Sequence, residues 1–180
     1  MPKVKGAHVL SAIKTLRAYR EQALQLLPPH LHKYLQERIL ASMWYPFDDH
    51  LELLRAIGVI VGGSDPWLLI GRAAARLDLA GLYNQFLRIG DPASTLKTMP
   101  AMWKSAHDSG EITLTKEGPG QVLVRLRGFI PRSAEICGIC TGYLVESVIM
   151  ACGKHPRVTH TECRARGANE CSWSVTWPET

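Results

Sequence analysis

Residues 111–129, EITLTKEGPGQVLVRLRGF, contain two segments in which apolar and polar side chains alternate. The four residues between them, EGPG at 117–120, have the glycine and proline content of a turn. Side chains on a strand repeat every two residues, so the two alternating segments predict an antiparallel hairpin. The residues before Gly110 lack this alternation, and the change of pattern divides the chain near residue 109.

The residues that follow predict a helix and a second hairpin. Residues 135–152, EICGICTGYLVESVIMAC, carry apolar side chains at helical spacing, and Gly153 can end that helix. Residues 157–163 and 170–177 alternate again on either side of the segment RARGAN. Residues 110–180 therefore predict the order strand–strand–helix–strand–strand.

The first 109 residues predict a series of helices. Apolar residues recur there at helical spacing, and Asp48, Asp65 and Asp91 can accept hydrogen bonds from the free amides at helix starts. Proline follows the last two aspartates and suits the first helical position, whereas Pro100 is expected to kink or divide the last helix. The expected helices cover residues 8–27, about 29–44, 48–61, 66–89 and a segment around 96–106.

These patterns together predict an α+β fold in a single domain of residues 1–180. A helical lobe at residues 1–109 is expected to pack on a C-terminal lobe at residues 110–180, built on a four-stranded antiparallel sheet. Strands and helices do not alternate along the chain, which argues against a parallel α/β fold.

Composition limits the classes of function. The 180 residues are 46% hydrophobic, with a formal net charge of +5. The N-terminus lacks a secretory pattern and no run of about 18 apolar residues occurs, so a cytoplasmic protein without a membrane partner is expected. The densest basic cluster, Arg157, Arg164 and Arg166, has no groove-reading motif beside it. It is interpreted as a solvated face, and no nucleic-acid partner is expected.

The five cysteines are expected to be reduced thiols, because a cytoplasmic chain with an odd number of them does not suit a disulfide framework. Cys137 and Cys140 lie in the first turns of the predicted helix, where amide dipoles stabilise a thiolate. Cys163 and Cys171 flank the last hairpin turn. A zinc site, a redox couple and inert core thiols remain open for these four, whereas Cys152 is interpreted as a packing residue.

The run from Cys137 through Gly142-Tyr143 to Cys163-RARGANE-Cys171-SWSVTW resembles the signature of the 4-vinyl-reductase superfamily of small-molecule-binding domains. Such domains occur in bacteriochlorophyll biosynthesis proteins and in regulators that respond to aromatic compounds. They share a fold with haem-nitric-oxide-binding domains and transport-particle subunits. The segments WYPF at 44–47, GDP at 90–92 and the final VTW make the whole chain resemble more closely a myxobacterial family of unknown function, about 180 residues long.

The resemblance implies a zinc site. Zinc-carrying members of the superfamily bind the metal through three cysteines at the positions that correspond to Cys137, Cys163 and Cys171. Their fourth ligand is an acidic residue upstream, for which Glu117 is a match. Cys140 competes for that position because it lies one helical turn from Cys137. Zinc is therefore the expected cofactor, and its fourth ligand stays open between these two residues.

Other side chains are assigned weaker roles. His160 and Glu162 lie close to the cysteines in sequence, and a supporting role beside the ligands is conceivable for them. Trp44, Trp67 and Trp103 are candidates for lining an apolar ligand cavity, although core packing explains each of them as well. No haem is expected, because the chain lacks a CxxCH motif and the tyrosine–serine–arginine triad of the haem-binding relatives.

The expected function is that of a non-enzymatic cytoplasmic sensor or regulatory module that binds a small apolar ligand and carries a structural zinc. No catalytic residues are assigned, since neither a nucleophile–base pair nor a phosphate-binding loop is recognisable. The alternative is a ligand-free dimeric protein–protein adaptor, as in transport-particle relatives, and a thiol-redox protein ranks third. A homodimer and an unidentified protein partner are expected.

Overall fold

The computed structural model describes residues 1–152 and 154–178. Contacts group the chain into two compact units. Unit 1 comprises residues Met1–Pro66 and Ser105–Ser109, and unit 2 comprises Trp67–Lys104 and Gly110–Thr180. Helices and a four-stranded antiparallel sheet confirm the α+β class, whereas the extent of a single domain stays a prediction. The expected end of a helix at Gly153 lies outside the described residues.

Unit 1 is mainly helical, with one short two-stranded antiparallel sheet. Its core consists of apolar side chains from the first and fourth helices, such as Val9, Ile13, Leu16 and Leu53, which are fully buried. Its elements are β1 (Lys3–Lys5), α1 (Gly6–Ala18), α2 (Arg20–Leu26), a 3-10 turn (Pro29–Leu31), α3 (Lys33–Gln36), β2 (Trp44–Pro46) and α4 (Phe47–Val61).

The expected helix over residues 29–44 is wrong. Only Lys33–Gln36 forms an α-helix, and the chain then continues without helical structure to strand β2. The guanidinium of Arg17 donates to the carbonyls of Tyr34, Leu35 and Glu37, so the last carbonyls of α3 have a side-chain partner instead of a further helical turn. The expected helix over residues 8–27 is likewise interrupted, since Tyr19 leaves the helical conformation between α1 and α2.

Of the helix caps predicted at Asp91 and Asp48, the first is confirmed and the second is wrong. Asp91 caps the helix that begins at Pro92, because its carboxylate accepts from the amide of Ser94 at 2.9 Å. Asp48 does not cap α4, which begins one residue earlier at Phe47; the carboxylate lies in the first turn instead. Gly62 ends α4 as expected, with a φ of 63° that favours glycine.

Unit 2 combines helices with the large sheet. The helix expected to reach residue 89 ends at Ala80, and the break expected at Pro100 occurs at residues 97–98, so that Pro100 lies in the first turn of the helix Met99–Ala106. The elements that lie wholly or mostly in it are α5 (Pro66–Ala80), a 3-10 turn (Asn84–Phe86), α6 (Pro92–Leu96), α7 (Met99–Ala106), β3 (Glu111–Gly118), β4 (Gln121–Arg127), α8 (Ala134–Cys152), β5 (Arg157–Glu162), a 3-10 turn (Arg164–Arg166) and β6 (Cys171–Thr176).

The sheet has the order β3-β4-β6-β5, with every neighbouring pair antiparallel. Both expected hairpins are confirmed, and strand β6 lies between β4 and β5. Val124 and His160 are both paired with Trp173, on its two sides. The Trp173 side chain is 2% exposed, which makes it one of the largest buried groups of this unit. The final hairpin is therefore fixed to the centre of the sheet.

Helices α5 and α8 approach each other at glycines. A methyl group added at Gly71 would overlap the carbonyl oxygen of Ile139, and one added at Gly142 would overlap that of Leu68. The contact is thus one of backbone against backbone, which requires small residues. One turn further along α8, Glu146 is 3% exposed. Its carboxylate accepts from Arg72 at 2.8 Å and from Arg76 at 2.5 Å, both on α5.

Helix α8 is long and apolar enough, by length and hydropathy, to pass as a membrane span. It contains buried residues that include Leu144, Ser147 and Val148. Glu146, in the same stretch, is paired with two arginines of α5. Such packing is typical of the core helix of a globular unit.

Candidate metal centre

Four side chains of unit 2 converge: Cys137, His160, Cys163 and Cys171. Cys137 lies in the first turn of α8, His160 lies on β5, Cys163 follows the end of that strand, and Cys171 begins β6. Their potential ligand atoms all lie within 4.8 Å of one another. The three cysteines are 5–8% exposed. Tertiary folding thus gathers three thiols and one imidazole from a helix and a hairpin.

The distances between the sulfurs suit a tetrahedral metal. The Sγ atom of Cys137 lies 3.8 Å from that of Cys163 and 3.7 Å from that of Cys171. Two thiolates that share a tetrahedral zinc at about 2.3 Å lie about 3.8 Å apart. A disulfide would instead need sulfurs about 2.0 Å apart. The spacing therefore fits a shared metal ion and does not fit a disulfide.

The turn between β5 and β6 directs backbone amides at the sulfurs. It contains a 3-10 turn and Gly167, whose φ of 96° favours glycine. The amide of Arg164 donates to the Sγ of Cys171 at 3.3 Å. The amides of Arg166 and Ala168 donate to the carbonyl of Cys163, which closes the turn. Amide donors near sulfur stabilise thiolates, the form that binds metal.

The thiols differ in how readily they ionise. Burial, and then the neighbouring thiols, raise the pKa of Cys137. Burial opposes ionisation of Cys163 too, but the hydrogen bond with Cys137 and the amides of Ala165 and Arg166 hold its pKa below the ordinary value. A buried cation would favour the thiolate form of all three cysteines, since desolvation without a counter-charge disfavours it.

His160 fits the fourth position. Its Nε2 atom is buried and has no hydrogen-bond partner, which is unusual for a polar atom unless a ligand completes it. Burial, followed by the charge of Arg166, lowers the pKa of His160 and so favours the neutral, metal-binding form. Three thiols and one imidazole are a donor set that zinc prefers. The residues present therefore fit a zinc ion.

The structure brings together three of the four residues predicted as metal ligands. Cys140 is not part of the converging group, and burial, followed by the charge of Cys171, raises its pKa to about 12. Glu117, the other candidate for the fourth ligand, accepts from Gln121 within the first hairpin. His160, for which the sequence suggested only a supporting role, lies in the converging group, and these two residues do not. The signal was present as the spacing H-x-x-C before Cys163.

A cleft adjoins the cysteines. Its enclosed volume is about 10 Å³, the space of about one water molecule, and Phe129, Ile136, Cys137, Cys171 and Trp173 contribute to its lining. Among the described residues that line it there is no histidine, and its two sulfurs belong to the converging group. The cleft therefore holds neither a haem nor a small organic molecule unless its lining side chains move apart.

None of the three predicted tryptophans lines this cleft. Trp44 belongs to unit 1, where it is 39% exposed and lies beneath the ammonium group of Lys5. Trp67 and Trp103 belong to unit 2. The Trp67 side chain packs against Gly138, and Trp103 packs edge-to-face on Phe129 with ring centroids 5.0 Å apart. Ligand binding by these residues stays a prediction. Trp103 contacts Phe129, which lines the cleft.

Residues 79–178 match the model of a family described as Protein of unknown function (DUF2378). The chain belongs to this family. The match covers more than half of the chain, including all four converging residues. The comparisons do not confirm the narrower resemblance to the 4-vinyl-reductase superfamily or to a myxobacterial family. No curated protein matches the chain.

Solved H-NOX structures share the fold. One from S. oneidensis in the Fe(II)NO ligation state has a TM-score of 0.69 at 12% identity, covering 97% of this chain and 99% of that chain. An unliganded Fe(II) H-NOX protein from K. algicida has a TM-score of 0.67 at 11% identity, covering 98% and 97%. A third, described in connection with heme distortion in the H-NOX family, has a TM-score of 0.70 at 12% identity, covering 97% and 95%.

At these identities the likeness shows the fold alone. The expectation of a fold related to haem-nitric-oxide-binding domains is therefore confirmed. The expectation that this chain binds no haem gains no support, because the similar structures are described with iron ligation states and heme.

Proposed function

We propose that this chain is a binding module that senses a small apolar molecule and whose sheet unit is stabilised by a structural zinc ion. Cys137, His160, Cys163 and Cys171 are the proposed ligands. The observation that carries the proposal is the convergence of three sulfurs and one imidazole at the spacing of a tetrahedral site.

A structural role is favoured over a catalytic one. Catalytic zinc sites keep a position open for water or substrate, whereas structural sites are closed by four protein ligands. The four groups here complete such a set, and the cysteines are buried. When bound, zinc would supply a positive charge that keeps the thiolates ionised and four bonds that join the last hairpin to the start of α8.

The sensing role is supported by the fold. An H-NOX structure with the same fold is described in an Fe(II)NO ligation state, with a small ligand bound to that protein. The cleft beside the cysteines is lined mainly by apolar and aromatic side chains, with Arg132, Ser133 and Arg164 as polar members. Its enclosed volume is that of about one water molecule, so a small apolar ligand would bind there only after the lining side chains move apart. A role in binding rather than catalysis, a cytoplasmic location, and the absence of nucleic-acid and membrane partners belong to the same proposal.

The alternative is a ligand-free dimeric adaptor that binds another protein. Native mass spectrometry of the purified chain distinguishes the two, because it reports co-purified ligand and oligomeric state together. The sensor predicts a bound small molecule, and the adaptor predicts a dimer without one. We also expect the sensor to be a homodimer, with twice the 20.0 kDa mass of the chain. A monomer at tens of micromolar protein would contradict the expected homodimer.

The zinc site is tested by metal analysis of protein purified without chelator. The native chain should contain one zinc ion, and Cys163→Ser should contain none. If zinc is present at about 1,000 times its dissociation constant, its loss should lower the free energy of unfolding by about 4 kcal/mol. Cys152→Ser is the matched control, because Cys152 lies outside the converging group. Equal zinc contents in both variants would contradict the assignment.

An absorption spectrum of the same sample addresses haem. The proposed zinc and apolar ligand predict no haem band in the visible region. A stoichiometric haem band would contradict the expectation that this chain binds no haem, and the metal analysis would still decide the zinc site.

A further inference from the structure

Two hydrogen bonds at Thr141 connect the backbone of Cys137, a proposed ligand, with Trp173, whose ring stacks on that of the proposed ligand His160. The hydroxyl of Thr141 donates to the carbonyl of Cys137 at 2.8 Å, one turn earlier in α8. The same hydroxyl oxygen accepts from the indole Nε1 of Trp173 at 2.9 Å. Thr141 therefore connects the backbone of a helix ligand with a side chain of the central strand β6.

Trp173 in turn fixes the ring of His160. The two residues are direct neighbours across the β5–β6 pair. Their rings are stacked with centroids 4.6 Å apart and planes inclined by 10°. The indole ring therefore limits how the stacked imidazole can rotate. The orientation of the indole is itself set by its hydrogen bond to Thr141. The buried Nε2 of His160 has no hydrogen-bond partner among the described residues, while the ring also has a hydrogen bond with the backbone of Glu162.

The two ligands joined in this way come from different elements, a helix and a strand. Residues that orient metal ligands typically change metal affinity by about 10–100-fold when they are substituted. A preformed ligand arrangement loses less conformational entropy when the metal binds. We propose that Thr141 and Trp173 are positioning residues that hold Cys137 and His160 in place before the metal binds, and so set the zinc affinity of the site.

The substitution Thr141→Val tests this role, because valine keeps the shape of threonine and removes both hydrogen bonds. Zinc affinity is measured by competition with a chromophoric chelator, and the stability of the apo-proteins by urea unfolding. We expect Thr141→Val to bind zinc about 10–100-fold more weakly. Thr141→Ser, which retains the hydroxyl, should restore most of the affinity.

Ser147→Ala is the matched control. The hydroxyl of Ser147 donates to the carbonyl of Tyr143 at 2.7 Å, so it makes the same kind of bond on the same helix, away from the cysteines. Its loss should lower apo-protein stability without changing zinc affinity. If Thr141→Val likewise lowered apo-protein stability without changing zinc affinity, the positioning role would be overturned.

Cobalt(II) provides a second readout. In Thr141→Val and in Trp173→Leu, the thiolate-to-cobalt bands should persist, because the three cysteines remain. The d–d bands should shift or weaken, because the imidazole is displaced. Spectra and zinc affinities identical to those of the native chain would refute the inference.

Because the inference rests on the proposed zinc site, the native chain separates the two failures. If the native chain binds neither zinc nor cobalt stoichiometrically, the metal centre itself is refuted. If it binds both tightly and Thr141→Val binds them equally tightly, only the positioning role is refuted.

Discussion

The contact between α5 and α8 leads to a prediction for Gly142→Ala. The new methyl carbon would overlap the carbonyl oxygen of Leu68 and would lie 2.9 Å from its carbonyl carbon and 3.0 Å from the amide nitrogen of Arg72. Ordinary contact begins at about 3.4 Å. The neighbours are backbone atoms, so relief requires α5 to move as a helix rather than a side chain to rotate.

The magnitude follows from two opposing effects. Overpacking a close-packed interior costs about 1–3 kcal/mol, and the backbone contact argues for the upper end. Alanine in place of glycine favours the helix by about 1 kcal/mol. We therefore expect Gly142→Ala to lower the free energy of unfolding by about 2 kcal/mol.

Urea unfolding measures this loss. With an m-value of about 2 kcal/mol per molar urea, the midpoint should fall by about 1 M. Gly118→Ala is the control, because a methyl group there would meet no heavy atom within 4 Å, and its effect should stay within about 0.5 kcal/mol. A midpoint for Gly142→Ala that is unchanged or higher would refute the close contact of the two helices.

Two further predictions concern buried polar groups. Burial, and then His8, lower the pKa of His50 from 6.5 to about 3, so the unfolded chain binds a proton there that the folded chain does not. His50 should therefore make the free energy of unfolding fall as pH drops below about 6.5, by up to about 1.4 kcal/mol per pH unit. In urea unfolding at several pH values, His50→Gln should lack this pH dependence, whereas the control His30→Gln should keep it. Glu146→Ala should cost about 2 kcal/mol by the same assay, because its buried carboxylate accepts charged hydrogen bonds from Arg72 and Arg76. Arg76→Ala should cost less, since Arg72 still pairs with Glu146; the reverse order would contradict the arrangement.

The hairpins and helix α8 could be predicted because their patterns are local. Alternation within a few residues specifies a strand with one buried face, and the turn residues between the strands are explicit. The strands β1 and β2 could not be predicted in this way. Each has three residues, and they pair across a separation of about forty residues, so no local periodicity reveals them.

The choice of Cys137, Cys163 and Cys171 among the five cysteines rested on a family resemblance, and His160 was expected only to support the ligands. Alternation alone would place residues 160 and 162 on one face of β5. The register of β5 against β6 shifts between these two residues, and such a shift redirects the side chains around it. The position of His160 opposite Trp173 depends on that register, which local sequence does not specify.

The glycines of α8 illustrate the same limit. Gly138 and Gly142 lie four residues apart and therefore on one face of the helix. The sequence does not show what approaches that face. In the structure Trp67 meets the first glycine and the backbone at Leu68 meets the second. Tertiary packing, rather than helix propensity, explains glycine at these positions.

X-ray absorption at the zinc edge tests the central claim most directly, because it reports the kind and number of atoms bound to the metal. Protein purified without chelator should show one zinc ion with three sulfurs at about 2.3 Å and one nitrogen at about 2.0–2.1 Å. Those neighbours correspond to Cys137, Cys163 and Cys171 with His160. Four sulfurs would return Cys140 to the ligand set, and an oxygen in place of the nitrogen would favour an acidic ligand such as Glu117. Either result, or a folded protein without zinc, would contradict the account.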